Sequence, residues 1–207
     1  MRDLSPVSPK TVPAGPAGTG AGPRRRLLDV AGRLFYEEGV HVVGIDRLLE
    51  EAGVAKASLY AHFGNKDGLV RAYLDEHFEA RREHVTQVLA RYDTPGERII
   101  GLFSDIEDLL AVPSFRGCRF VNASAEARPD ESIGAVTGAY RTWLITLFTD
   151  LARDAGATNP GQLGRQLALL YDGASVAARL DENRSAVGDA ARSAAVTLVD
   201  AATSQKA

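Results

Sequence analysis

Cysteine is almost missing from this 207-residue chain: Cys118 is the only one. That excludes an intramolecular disulfide and fits a reducing compartment. Long hydrophobic runs are missing as well. No apolar stretch approaches the roughly 20 residues that a membrane span requires. The N-terminus lacks the apolar core of a secretory signal, so a cytoplasmic protein with no membrane partner is expected. Alternating apolar and polar stretches and tight hairpin dipeptides are absent, which argues against β architecture. There is no HExxH, no phosphate-loop glycine pattern and no GxSxG, so an enzyme is the least supported class. No catalytic residue, cofactor or metal is expected.

Strong charge of one sign is also lacking, the net value being −3. Residues 1–71 carry 10 Lys+Arg against 8 Asp+Glu, and residues 72–207 carry 14 against 19. A mildly basic front on an acidic body permits phosphate contact at one pole without establishing it. With 45% hydrophobic and 25% charged residues, the composition is that of an ordinary globular protein.

Five of the nine prolines fall in residues 1–23 among few large apolar residues. Such a segment buries too little surface to offset its ordering entropy, so a disordered arm is expected there. Arg24-Arg25-Arg26 then opens a helix whose stripe is Leu27, Ala31, Leu34 and Phe35, stopped by Gly39. A short second helix carries Ile45, Leu48, Leu49 and Ala52, ended by Gly53. A third runs from about Ala55 to Phe63, and Asn65 is placed to cap a long fourth. Beyond Pro95 the spacing predicts helices over about 95–111, 117–127, 131–154, 160–180 and 184–203. The fold class is therefore all-α. The expected division is an arm over 1–23, a three-helix helix-turn-helix domain over 24–71, and a helical domain over 72–207.

Residues 44–63, GIDRLLEEAGVAKASLYAHF, read as helix, tight turn, helix. In such a unit the first helix spans the DNA backbone and the second enters the major groove by its N-terminal residues. Residues 31–70, with the AGV turn, the LYxHF segment and the following NKDGLV, closely resemble the tetracycline-repressor (TetR/AcrR) family of bacterial regulators. The resemblance implies that Lys56, Ser58, Ala61 and His62 face the groove, with the Tyr60 hydroxyl at its rim near a phosphate. It implies phosphate contacts for Lys66 and for the backbone N–H groups of Gly44 and Ile45. Arg24, Arg25 and Arg26 would reach an adjacent phosphate or the minor groove. Two positions depart from the family pattern. Ala55 stands where a capping Ser or Thr is usual. Ala61 offers only a methyl where a larger polar residue often reads a base edge.

The resemblance further implies that the second domain binds a small-molecule effector and dimerises. RGCRFVNASAEA, residues 116–127, resembles a motif of one branch of the family, where it begins a helix flanking the pocket. Phe103, Phe120, Asn122, Glu126, Tyr140, Arg141, Trp143 and Tyr171 are the candidate pocket residues, a mostly aromatic set with a few polar groups. Cys118 reads as a small packing residue. The other reading is a reactive thiolate favoured by Arg116 and Arg119. His77 and His84, among Asp75, Glu76, Glu79 and Glu83, read as a charged outer face. Alanine-rich helices over 160–180 and 184–203, with Ala168, Ala174, Ala177, Ala178, Ala190, Ala191, Ala194 and Ala195, predict a four-helix homodimer interface. The function expected is a dimeric, ligand-released repressor of a palindromic double-stranded DNA operator. An activator or a helical partner-binding protein is the alternative.

Overall fold

The computed structural model describes residues 22–127 and 132–204. Among these, nine helices and no strands occur: α1 (Pro23–Glu38), α2 (Ile45–Ala52), α3 (Lys56–Phe63), α4 (Lys66–Leu89), α5 (Pro95–Leu110), α6 (Arg119–Glu126), α7 (Ile133–Asp154), α8 (Pro160–Leu180) and α9 (Arg184–Thr203). The all-α expectation holds. Most of the segment read as an arm lies outside the described residues. Pro23, assigned to that arm, instead opens α1, where a missing N–H costs nothing.

Helix ends follow local chemistry. Asn65, Asn159 and Asn183 each accept a hydrogen bond from the backbone N–H three residues on. Thr94 and Glu97 form a reciprocal capping box. Gly53 ends α2 in the left-handed region, φ 60° and ψ 44°, which a side chain would strain.

α1, α2 and α3 pack with the start of α4 around fully buried Leu27, Ala31, Leu34, Leu48, Leu59 and Leu69. This three-helix head joins the rest through α4, which runs unbroken across residues 71 and 72, where the domain boundary was placed. A Cβ on Gly68 would collide with the Phe63 carbonyl, so glycine lets α4 start hard against the end of α3. In the body, α7 packs on α8, and α9 packs on both α5 and α8.

The alanines of the last two helices serve this packing. Ala168, Ala174, Ala178, Ala191 and Ala195 are buried within the chain itself. The outward face of α8 is larger and more apolar than expected: Leu169 is 59%, Val176 44% and Leu180 79% exposed. With Gly173 these fall at i, i+4, i+7 and i+11, one stripe of the helix.

Candidate nucleic-acid interface and adjoining cavity

The reading unit is held from behind. Leu59 is fully buried, whereas Lys56, Ala57, Tyr60, Ala61 and His62 on the same helix are exposed and Ser58 is half-buried. That places Lys56, Ser58, Tyr60, Ala61 and His62 on the outward side of α3, with Ala55 capping it without a side-chain hydrogen bond. The Ser58 N–H bonds back to the Ala55 carbonyl at 2.9 Å, which leaves the Lys56 and Ala57 N–H groups at the start of α3 without an intrahelical acceptor. The same holds at α2, where exposed Gly44 is the N-cap and Ile45 the first helical residue. Lys66 is the first residue of α4, at the positive end of its dipole. The His62 ring meets the edge of Phe63 at 6.2 Å.

The three arginines divide. Arg24 is exposed, with its guanidinium 5.6 Å from the Phe63 ring centroid. Arg25 is ion-paired with Asp29 and, at 2.8 Å, with Glu76, and these partners hold its pKa above the ordinary value. Arg26 donates to the carbonyls of Ala52 at 3.0 Å and Gly53 at 3.2 Å, the unpaired C-terminal end of α2. Expected to reach DNA, Arg25 and Arg26 are instead engaged within the chain: Arg25 ties α1 to α4 through Glu76, and Arg26 fastens the helix-turn-helix turn to α1.

A family model described as bacterial regulatory proteins, tetR family, matches residues 27–73. The whole fold superposes on SCO4454, a TetR-family transcriptional regulator from Streptomyces coelicolor, with a TM-score of 0.83. The two are 35% identical over 87% of this chain and 96% of that one. The chain belongs to the TetR family. This TetR-family protein is also similar to sav143, a putative TetR-type regulator from Streptomyces avermitilis, at 33% identity and a TM-score of 0.79. That match covers 88% of this chain and 98% of the other. The transcriptional repressor KstR2 of Rhodococcus jostii is 36% identical over 81 residues, 37% of this chain and 40% of that protein. As a TetR-family member the chain is a DNA-binding transcriptional regulator.

Behind the regulator's head lies a cavity of about 320 Å³, walled by α4, α5, α6, α7 and α8. Of the eight residues expected there, Phe120, Tyr140 and Tyr171 line it. Phe103 lies deeper, fully buried against Phe148 and Tyr171. Trp143 packs on Phe78 and Tyr140. Arg141 is ion-paired with Asp172, which itself reaches the cavity wall. Asn122 bridges the Arg116 carbonyl and Arg179, and Glu126 accepts from the His41 backbone N–H at 2.9 Å. Thus Phe103, Asn122, Glu126, Arg141 and Trp143 support the wall rather than form it.

The polar wall comes from residues that the sequence reading had placed elsewhere. His77 and His84, expected on an outward and charged face, line the cavity from α4, and Arg81 between them joins the wall. Arg81 pairs with Asp105 at 3.2 Å and donates to the Tyr171 hydroxyl. His84 lies 2.6 Å from Asp105. Burial pushes the Asp105 carboxyl up, but its hydrogen bond to His84 and the charge of Arg81 hold it below its ordinary range. Burial, reinforced by Arg119 and Arg25, lowers His77 to about 4, so its ring is neutral at neutral pH. Burial likewise pushes the Cys118 thiol up, opposing the thiolate reading despite the neighbouring arginines. The spacing 77, 81, 84 marks one helical face, but its sequence gives no sign that four other helices converge on it.

Three contacts tie this wall to the head. The Tyr36 hydroxyl, on α1, accepts from Arg116 N at 2.7 Å and donates to Gly117 O at 3.2 Å. A His41 ring nitrogen donates to Glu126 O at 2.6 Å, joining the α1–α2 loop to the end of α6. Ser132 N donates to the Asp67 carboxylate at 3.2 Å, joining the approach to α7 with the start of α4.

Proposed function

We propose that the protein is a ligand-released repressor, not an enzyme, which binds a palindromic operator as a homodimer in the cytoplasm. The observation that carries this reading is Tyr36. Its ring and hydroxyl belong to the head's first helix, yet it lines the cavity and holds the 116–117 turn. An effector that shifts this turn acts on the head directly, and release follows if it binds the two arrangements with different affinity. The head comprises residues 24–71 and the effector-binding, dimerising body residues 72–207.

In this reading Lys56, Ser58, Ala61 and His62 meet base edges, with Tyr60 at the groove rim. Lys66, the N–H groups of Gly44 and Ile45, and Arg24 take phosphates. The dimer forms through α8 and α9, supported by the exposed Leu169, Val176 and Leu180 stripe. Two heads then reach successive major grooves about 34–36 Å apart. KstR2, which is similar over 81 residues, is named a repressor, which favours repression over activation.

The experiment is selection of bound sites from a random-sequence DNA pool, followed by titration over a range of salt. The expected result is a palindromic consensus and salt-sensitive binding, whose log–log salt slope falls by about 1 per protomer in Lys66→Ala. Tyr60→Ala should weaken binding as well. A pool that yields no preferred sequence overturns the proposal.

A further inference from the structure

Arg119, the first residue of α6, reaches the cavity with an unanswered charge. Its Nη1 atom is buried and makes no hydrogen bond in the structure. Its guanidinium carbon stands 3.6 Å from the centroid of the Tyr36 ring, a cation–π contact that holds the group without neutralising it. The other charges around the cavity are matched. Arg81 and His84 share Asp105, and Asp172 has Arg141. One positive charge remains, and a buried donor of that kind is costly unless an acceptor arrives.

Building on the reading of this cavity as the effector site, we infer that the effector is a monocarboxylate with an apolar body. The carboxylate meets the Arg119 guanidinium, whose planar fork matches it. The apolar body lies against Phe115, Phe120 and Tyr140. A dianion is disfavoured, because its second charge finds no free cation and faces Asp105 and Asp172. The volume, about 320 Å³, is at the lower end for small-ligand sites, which selects compact acids. Because Arg119 rests on Tyr36, capture of the carboxylate draws on the same contact that holds the head.

The test is titration calorimetry of the full chain with benzoate, phenylacetate, indole-3-acetate, hexanoate and octanoate, each beside its primary amide. At least one acid should bind roughly 10- to 100-fold more tightly than its amide, as expected of a charge-assisted hydrogen bond. Arg119→Met should abolish that preference, and Arg119→Lys should restore part of it. The acid-to-amide ratio in the unaltered protein decides the matter even if a variant does not fold. Equal binding of acids and amides overturns the inference and leaves the cavity reading standing. Acid preference that survives in a folded Arg119→Met variant overturns Arg119 as the recipient. Inorganic sulfate binding as tightly as the acids removes the apolar body. Failure of every acid and amide to bind overturns both the inference and the effector-site reading.

Discussion

The head and the body of this regulator are both built from helices but make their working surfaces in opposite ways. In the head, one eight-residue helix turns its single fully buried side chain, Leu59, inward and leaves its neighbours outside. The surface proposed to meet DNA is then the product of local geometry: a short helix, a left-handed glycine and a leucine anchor. In the body, five helices each turn polar side chains toward a shared interior. There the working surface exists only after long-range packing, and its charges, Arg119 apart, settle one another by pairing. A surface formed locally tolerates change in its exposed residues, whereas an interior formed by convergence couples every member to its neighbours.

That contrast has a way to be broken on each side. The largest expected effect is Leu59→Ala, which leaves a void behind α3 and should cost about 2–5 kcal/mol of unfolding free energy. Urea titration checks it, and selective DNA binding should fall with it. An unchanged midpoint would show that the head does not depend on that anchor.

Acidification tests the body. His77 has an ordinary value of 6.5 and a folded value of about 4. Between those values the unfolded chain binds the proton more readily than the folded one. Stability is therefore fully present above about 6.5 and declines as pH falls toward 4, by up to about 3 kcal/mol. His77→Gln should flatten that window in thermal melts followed by Trp143 fluorescence. A slope that persists unchanged assigns the acid sensitivity to another group.

The smallest effect sharpens the head. Ala55→Ser supplies the side-chain cap that α3 lacks and should stabilise the protein by about 1 kcal/mol. Thermal unfolding checks the direction.

The same contrast explains how much could be read from the amino acids alone. Helix positions followed from apolar spacing and from capping residues such as Asn65 and Thr94, because those are local effects. The outward side of α3 followed from the same logic. Arg26 did not, since its partners are carbonyls at the end of another helix, 26 and 27 residues away. The cavity was legible only as an aromatic tendency. Phe103 and Trp143 have the composition of a pocket wall but are covered by neighbours. His77, Arg81 and His84 have the composition of a solvated face but are enclosed by α5 through α8. Five of the eight alanines named on α8 and α9 pack within the chain, because small residues permit close helix approach without specifying whose helix approaches.

The continuity of α4 has a mechanical consequence. With 24 residues it is a rod of about 36 Å, at 1.5 Å of rise per residue. Pivoting about its far end by about 5° swings the Lys66 end through about 3 Å, the length of one hydrogen bond. Such a lever needs no melting of secondary structure to disengage the phosphate contact proposed for Lys66. Stiffness, which stability measurements would score as an asset of the fold, thereby becomes the gain of the switch.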